Sequence, residues 1–345
     1  MTIQNEITKQ ARLLDEKGHL TVSGWARDLL LKYDRKDIKA RSYRIKEWDY
    51  YLVLADDFGC AFTISDLSYI GMVSVSFLDF KNLKDYTKPI ITILPMGKYQ
   101  MPSTSITGDV HFENKDLKLD FINEKSRRII RCSYKNIADN IDFSCDISLQ
   151  KNKTESMVIA SDWKEKPDHF YYNQKINCMA ASGTVVFGDK TFQFDPKKHY
   201  GTLDWGRGVW TYDNRWYWSS GNSKINGKDF GFNLGYGFSD RSKASENVII
   251  YDGKIHKLDE VVFNIPTKQG KKDYMSQWTI ESSDNRFDCV FTPILDRSDY
   301  TKVGPILTDQ HQVFGRLNGR AILDDQTVIE IKDMLMFAED VHNKY

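Results

Sequence analysis

The sequence has few of the features that mark secreted, metal-binding or membrane-spanning proteins. Its five cysteines are odd in number and far apart, and they show no CxxC spacing, which argues against a disulfide framework and against a zinc site. We therefore expect reduced thiols in the core. The first twenty residues are polar and charged, and no apolar run approaches the roughly 18 residues of a membrane span. These absences predict a cytoplasmic protein with no stable membrane insertion.

The sequence also lacks an excess of charge and the common cofactor motifs. Its 48 lysines and arginines balance 48 aspartates and glutamates, so no overall field attracts nucleic acid. The seven histidines show neither HExxH nor HxH spacing, and the glycine-rich segments lack the strand-to-helix context of a nucleotide site. We expect no metal, no cofactor and no nucleic acid. The expected partner is a small apolar ligand, and the oligomeric state is left open.

Strand patterns cover most of the chain, and helical periodicity is thin. We predict one short polar helix at 5–16 and helical spacing around Trp25, Leu29 and Leu30. Elsewhere, β-branched and aromatic runs alternate with Asn, Asp and Gly turns, which predicts an all-β sandwich or barrel. The three clearest runs, followed by five further predicted strands, lie at 48–56, 59–66, 68–80, 89–94, 106–112, 116–122, 127–134 and 140–149.

Four short turn signals predict tight hairpins in the second half, because Asn-Gly, Asp-Gly and Gly-Asp pairs adopt the required positive φ angles. They lie at 187–190, 225–228, 251–254 and 317–320. A chain of 345 residues exceeds the usual size of a single core. With the least structured stretch at 151–158, we predict two halves, 1–155 and 156–345.

The segment RIKEWDYY, residues 44–51, alternates charged and aromatic side chains. Because Lys, Glu and Asp are mostly exposed in globular proteins, this pattern predicts a solvated strand face.

The segment 199–222 (HYGTLDWGRGVWTYDNRWYWSSGN) holds four of the eight tryptophans. Asp204 and Arg207 lie among these rings, where burial is costly unless the charges pair or serve a ligand. A structural pair between the two residues is one hypothesis. A carboxyl of Asp204 buried with little compensation, and so able to donate a proton, is the other.

The strand that follows has one bulky face and one nearly bare face. Because side chains alternate along a strand, the bulky set and the bare set project to opposite sides. The bulky set is Phe230, Phe232, Leu234, Tyr236 and Phe238, and the bare set is Asp229, Gly231, Asn233, Gly235 and Gly237. Glycines on one face indicate either tight packing of a second layer or room for a ligand.

Several motifs together resemble the domain of unknown function 2804 family over nearly the whole chain. They are GWARDLLLKYDRKDIK (24–39), RIKEWDYYLV (44–53), ISDLSYIGMVSVSFLDF (64–80), YNQKINCMAASGTV (172–185), HYGTLDWGRGVWTY (199–212) and FAEDV near the end. More remotely, the chain is similar to calycin-like proteins with two lipocalin-type barrels, among them carotenoid hydratases, tocopherol cyclase and Diels-Alderases. Those proteins have a polar residue before Trp-Gly near a cavity, as Asp204-Trp205-Gly206 has here, although the hydratases carry histidine at that place. The resemblance implies two lipocalin-like antiparallel halves with few short helices.

These observations predict a cavity in the C-terminal barrel, floored by 199–238, for an isoprenoid- or lipid-like molecule. The first hypothesis is a cofactor-independent, acid-catalysed hydratase, isomerase or cyclase, in which Asp204 donates a proton and Arg207 stabilises developing charge. The predicted ligand-binding residues are Trp205, Trp210, Tyr212, Trp218, Asn222, Asn233 and Tyr236. The alternatives are a non-catalytic carrier of the same kind of ligand and a purely structural Asp–Arg clamp.

Overall fold

The computed structural model describes residues 4–151 and 154–345. Within these residues the chain is almost entirely β-strand, and its helices are two single 3₁₀ turns at Arg35–Asp37 and Ser42–Arg44. No helix in the described part of the chain has the length and apolarity needed to cross a bilayer. The all-β prediction is confirmed.

The strands up to residue 209 build the first large sheet and a small two-stranded one. They are β1 (Ala11–Arg12), β2 (Gly24–Ala26), β3 (Leu31–Lys32), β4 (Ile45–Leu54), β5 (Phe58–Asp66), β6 (Ile70–Asp79), β7 (Lys84–Ile93), β8 (Val110–Glu113), β9 (Leu117–Asn123), β10 (Arg127–Ala138), β11 (Ile141–Gln150), β12 (Met157–Trp163), β13 (Lys166–Phe187), β14 (Lys190–Phe194) and β15 (Tyr200–Val209).

The remaining strands build the second large sheet and another small pair. They are β16 (Asp213–Ile225), β17 (Lys228–Tyr236), β18 (Val248–Tyr251), β19 (Lys254–Lys257), β20 (Val261–Asn264), β21 (Thr267–Lys268), β22 (Lys271–Lys272), β23 (Trp278–Ser282), β24 (Phe287–Val303), β25 (Ile306–Ile322) and β26 (Val328–Lys344).

Both large sheets are antiparallel and curl around a core of their own. The main path of the first is β7-β6-β5-β4-β15-β13-β11-β10-β9-β8, and the second runs β19-β18-β17-β16-β26-β25-β24-β23-β20. Each inner face carries a cluster of buried apolar side chains. All five cysteines are buried and free. Two curled half-barrels therefore pack together, as the prediction of two lipocalin-like halves requires.

The change from one sheet to the other occurs between Val209 and Asp213. The predicted domain boundary at 155–156 lies between β11 and β12, and both of these strands belong to the first sheet. Part of the predicted linker, residues 152 and 153, lies outside the described residues. The 199–238 segment is therefore divided, with β15 in the first sheet and the β16–β17 hairpin in the second.

Three of the four predicted hairpins form at the predicted positions, namely β13–β14, β16–β17 and β18–β19. The fourth signal, at 317–320, is wrong. It lies inside β25, where Gly319 with φ +150° lies at a register shift against β26 and pairs regularly with Cys289 of β24. A Cβ at this position would lie 2.3 Å from the carbonyl oxygen of Asp288, so the glycine is needed for close strand pairing rather than for a turn.

The predicted helices at 5–16 and around Trp25 do not form. Backbone N–H groups in this region are used in pairing with other segments: Ile7 donates to Trp25 O at 2.7 Å, and Leu13 donates to Lys32 O at 2.9 Å. A short isolated helix is marginal by itself, so pairing with a tertiary partner prevails over it.

The predicted solvated face of RIKEWDYY is also wrong. Lys46, Glu47 and Asp49 are all buried, because β4 lies in the middle of the first sheet and both of its faces are covered. The odd-numbered residues of β4 point into the first core, whereas Lys46, Trp48 and Tyr50 point towards the second sheet.

The bare face of β17 is the contact surface with the first sheet. A Cβ on Gly231 would lie 2.8 Å from Cys178 Sγ and 3.1 Å from Asn222 Oδ1. Cys178 itself adopts φ +57° at a register shift in β13, so the bulge of β13 fits against the glycine of β17. Of the two hypotheses for this face, tight packing of a second layer is the one that the structure supports at Gly231.

We expect Gly231→Ala to lower the free energy of unfolding by about 1–3 kcal/mol. The added methyl group overpacks the contact surface between the two large sheets, which we call the joint. Urea denaturation would measure the change. A double variant that also carries Cys178→Ala should regain part of the loss, since it removes the nearest atom. Wild-type stability of Gly231→Ala would contradict the close packing.

Candidate functional site between the two sheets

A polar group of side chains lies where the two sheets face each other, and its members are buried except for Glu339, which is half-buried. It contains six residues, three from each sheet, which we call the inter-sheet cluster: Lys175, Asp204, Tyr50, Trp218, Glu339 and Gln312. The first three are cross-strand neighbours on β13, β15 and β4, and the last three are neighbours on β16, β26 and β25. Cross-strand neighbours project from one face, so each sheet presents a row to the other.

Asp204 is held by two contacts within the first sheet. Its Oδ2 lies 2.9 Å from Lys175 Nζ, and its Oδ1 accepts a hydrogen bond of 2.6 Å from Asn173 Nδ2. Asp204 is 8% exposed and Lys175 is 3% exposed. The ion pair and the amide stabilise a negative charge on Asp204, as a buried carboxylate requires.

Lys175 and Trp218 connect the two rows. The Lys175 ammonium lies 3.9 Å from the centre of the Trp218 ring, a cation–π distance. The Trp218 Nε1–H donates to Asn233 Oδ1 at 2.7 Å, and Asn233 Nδ2 donates to the backbone oxygen of Glu246 at 2.9 Å. Burial raises the pKa of Glu246, with Lys175 opposing this effect.

Glu339 is the carboxyl group of this site that can hold a proton near neutral pH. Its oxygens accept hydrogen bonds from Trp216 Nε1, at 3.3 Å, and from Gln312 Nε2. Burial raises the pKa of Glu339 to about 7, although Arg297 and these two donors act in the opposite direction. Burial of a carboxyl away from a close ion pair favours its neutral form.

Tyr50 meets Gln312 across the joint. The Gln312 Nε2–H donates to the Tyr50 hydroxyl oxygen at 3.1 Å, and the Tyr50 ring lies 6.0 Å from that of Trp218 in an edge-on arrangement. Burial raises the pKa of Tyr50 to about 12, so the phenol stays protonated. Tyr50, Gln312 and Glu339 therefore form a hydrogen-bonded chain that spans both sheets.

Aromatic rings surround Phe238 next to this chain. Ring-centre distances from Phe238 to Tyr171, Trp210 and Trp216 are 5.0, 5.7 and 5.8 Å, and Trp48 lies 5.3 Å from Trp210. Phe238 does not continue the bulky face of β17 as the sequence predicted. Gly237, with φ +93°, turns the chain and sends the ring to the joint instead.

Arg207 lies on the opposite face of β15 from Asp204, inside the first half-barrel. Its guanidinium is fully buried and donates to Trp48 O at 2.8 Å, Asp49 Oδ1 at 3.0 Å and Pro102 O at 2.8 Å. Asp204 pairs with Lys175 instead, so two separate ion pairs replace the hypothetical clamp between Asp204 and Arg207. This placement favours a structural role for Arg207.

The other predicted ligand-binding residues are distributed over several places. Trp218 and Asn233 lie at the joint, as does Asn222, which bonds Thr202 and the Cys178 backbone N–H. Trp210 borders it. The remaining three lie elsewhere. Trp205 is in the first core, and Tyr236 stacks on Tyr217 inside the second half-barrel. Tyr212 is exposed in the connection between the two sheets.

The predicted cavity in the C-terminal half is wrong, because that interior is filled. Phe230, Phe232, Trp278, Phe287 and Phe291 are all essentially inaccessible and pack on one another. Two pockets in the described residues lie on the first half: an open surface cleft of about 420 Å³ at Lys88 and 136–140, and a space of about 10 Å³ that includes Asp49 and Arg128. Asp204 lines neither.

Sequence analysis did not assign Lys175, Tyr50, Gln312 or Glu339 to the site. The available signal was a charged residue within an apolar strand, in MLMFAEDV for Glu339 and in YYNQKINCM for Lys175. In the described part of the chain, no three His, Cys, Asp or Glu side chains are placed to hold a metal ion.

The architecture defines the class of protein: two curled antiparallel half-barrels packed face to face, as in lipocalin-like two-barrel proteins. Kievitone hydratase from Nectria haematococca is similar over 100% of this chain and 97% of its own, with 11% identity and a TM-score of 0.51. An AttH candidate from Nitrosomonas europaea is similar over 90% of this chain and 96% of its own, with 12% identity and a TM-score of 0.50. At these identities, the likeness is one of fold.

The chain belongs to the family described as domain of unknown function DUF2804, whose family model matches residues 4–345. A search of curated proteins gave no match.

Proposed function

We propose that this protein is a cofactor-independent hydratase, isomerase or cyclase that protonates an apolar, isoprenoid- or lipid-like substrate between its two sheets. The observation that carries the proposal is Glu339, a carboxyl with a pKa of about 7 set among tryptophan rings at the joint. A general acid works best when its pKa lies near the working pH. The same fold occurs in a hydratase, so the reaction class is compatible with the fold, and the assignment itself rests on the site.

In the proposed reaction, Glu339 gives its proton to an alkene carbon of the substrate and becomes a carboxylate. The carbocation that forms at the neighbouring carbon is stabilised by the face of Trp216, because the Trp218 ring already holds the Lys175 ammonium. Addition of water followed by loss of a proton gives a hydrated product, whereas loss of a proton alone gives an isomer. Attack by a second alkene closes a ring and leaves a new carbocation, which then loses a proton. In each case one proton returns to Glu339, so no cofactor is consumed.

The other cluster residues would hold this acid in position. Gln312 and Trp216 orient the Glu339 carboxyl, and Tyr50 fixes Gln312 from the first sheet. In the proposed site the proton donor is Glu339 and not Asp204, the residue proposed from the sequence, because Lys175 and Asn173 compensate the charge of Asp204. In the proposed site, the ion pair with Asp204 holds the Lys175 ammonium over the Trp218 ring, so the positive charge of the cluster lies at Trp218.

The experiment is an isotope assay that works without a known substrate. A lipid extract of the source cells is incubated with the protein in H₂¹⁸O and in D₂O and is analysed by mass spectrometry. We expect a protein-dependent product that gains deuterium on carbon, together with labelled oxygen if the enzyme is a hydratase. A lipid that co-purifies in native mass spectrometry, returns unchanged and gains no deuterium would instead support the carrier hypothesis and overturn the proposal.

A further inference from the structure

A second polar group lies at one end of the joint, beyond the inter-sheet cluster. It consists of four side chains, which we call the head-group subsite: Lys46, Tyr69, Asn343 and Tyr345. Lys46 lies on the same face of β4 as Tyr50, and Asn343 lies on β26 at the same face as Glu339, four residues further along. Both sheets therefore contribute to the subsite, as they do to the cluster.

Lys46 is a buried ammonium group without an ion-pair partner among the described residues. It is 2% exposed, and its Nζ donates to Leu67 O at 3.0 Å. The Nζ lies 4.1 Å from the centre of the Tyr69 ring and 5.5 Å from that of Tyr345. Burial, followed by repulsion from Arg44, lowers the pKa of Lys46 to about 7, whereas Asp66 acts weakly in the other direction. A buried cation that has a carbonyl and aromatic rings beside it but no carboxylate is still costly in a fold.

Two further buried polar atoms at this place have no hydrogen-bond partner within 4–151 and 154–345. They are the Tyr69 hydroxyl and Asn343 Oδ1. The Asn343 amide nitrogen is already used, because it donates to the Tyr345 hydroxyl at 3.3 Å. Buried polar groups are almost always satisfied, so the unpaired Tyr69 hydroxyl next to the Lys46 ammonium indicates a missing polar partner, whereas Asn343 Oδ1, an acceptor, would not contact an anion. The donors at hand, an ammonium and a phenol, match an anionic oxygen group.

We propose that Lys46 and Tyr69 bind the carboxylate head group of an amphipathic ligand whose apolar body extends along the joint towards Trp48 and Glu339. The inference deepens the proposed function by naming the substrate class, an unsaturated lipid-like carboxylate, and it depends on that function only for the place where the body lies. The Trp48 and Trp210 rings, whose centres are 5.3 Å apart, lie between the head-group subsite and Glu339 and would form the apolar wall beside the body of the ligand.

The experiment measures dissociation constants for dodecanoate and for dodecanol by tryptophan fluorescence, in the wild type and in Lys46→Met. We expect the wild type to bind dodecanoate about tenfold or more tightly than dodecanol, as a charge-assisted contact implies. Lys46→Met should lose this preference while it keeps its affinity for dodecanol. Lys164→Met is the matched control, because Lys164 is exposed and pairs only loosely with Asp240 at 3.6 Å. It should behave as the wild type.

A purely structural role for Lys46 makes a different prediction. A buried lysine that stabilises the fold would lower the melting temperature when it is replaced, whereas a lysine retained for a ligand should leave it unchanged or raised in Lys46→Met. A lower melting temperature, or an unchanged preference for dodecanoate, would overturn the inference. Borohydride trapping of dodecanal on Lys46 would also overturn it, since the amine would then act as a nucleophile.

The two proposals can fail separately. Loss of the dodecanoate preference in Lys46→Met, together with no deuterium incorporation by any extract component, leaves the subsite standing and removes the catalytic function. Deuterium incorporation without a preference for dodecanoate over dodecanol supports the catalytic function and removes the subsite.

Discussion

Replacement of Glu339 by glutamine should reduce turnover of the substrate found in the isotope assay by about 10²- to 10⁴-fold. Glutamine keeps the shape of the side chain, although its single acceptor oxygen replaces two that accept from Trp216 Nε1 and Gln312 Nε2, and it has no acidic proton to give. The measurement is kcat/KM for the wild type and for Glu339→Gln under identical conditions. An effect confined to KM would instead assign Glu339 to substrate binding.

The pH dependence of the wild type provides a second readout for the same residue. The acid form of Glu339 is the active one, so kcat/KM should fall as the pH rises through about 7, the pKa that burial produces. Activity that rises across this range would contradict the assignment and would indicate a general base.

The sign of the linkage gives the expected stability of the variant. The pKa of Glu339 is raised on folding, so its contribution to stability is complete at acid pH and is lost as the pH rises through about 7. Glutamine stays neutral throughout. Glu339→Gln should therefore be at least as stable as the wild type at alkaline pH, and urea denaturation at pH 8 provides this control.

Replacement of Arg207 by methionine should cost about 3–5 kcal/mol of unfolding free energy, because it leaves the buried carboxylate of Asp49 without its ion-pair partner, whereas Glu47 keeps Arg35. Arg207 Nη1 lies 3.0 Å from Asp49, and Glu47 lies 3.9 Å from its Nε; all three side chains are buried. The guanidinium also packs 4.2 Å from the centre of the Trp205 ring, which methionine replaces only in part. Urea denaturation followed by circular dichroism measures the loss.

Arg131→Met is the matched control in the same sheet. Arg131 pairs with Asp146 at 3.0 Å, but both side chains are more than half exposed, so its removal should cost less than about 1 kcal/mol. If Arg207→Met were as stable as Arg131→Met, the ion-pair network inside the first half-barrel would not stabilise the fold. If Arg207→Met does not fold at all, Arg207→Lys keeps the charge and should recover part of the loss.

The local parts of the fold could be predicted from sequence, whereas long-range pairing could not. Asn226-Gly227 and Asp252-Gly253 produce hairpins because a turn depends on a few adjacent residues. The partner of β15 is β4, some 150 residues earlier in the chain, and no local signal identifies it. Without knowledge of that pairing, the sequence predicted that residues 199–238 line a single cavity.

The separation of Asp204 from Arg207 could have been predicted. Residues three apart in a strand project to opposite faces, so the spacing itself argued against a shared site. The burial of Lys46 could not, because the charges of RIKEWDYY are typical of a solvated strand and become buried only when the second sheet covers β4. Glu339 could be predicted in part. The sequence shows that it lies in an apolar strand, but its pKa depends on neighbours from distant segments.

Each half-barrel has its own apolar interior, and the inter-sheet cluster and the head-group subsite lie outside both interiors, where the halves meet. In the proposed site, substitutions of these polar residues would therefore alter ligand recognition without disturbing the apolar interior of either half, in contrast to Gly231, where the two sheets pack closely. A family with this arrangement would diversify its ligands by changing a few outward-facing strand positions. Combinatorial libraries restricted to those positions should accordingly contain a high fraction of folded members.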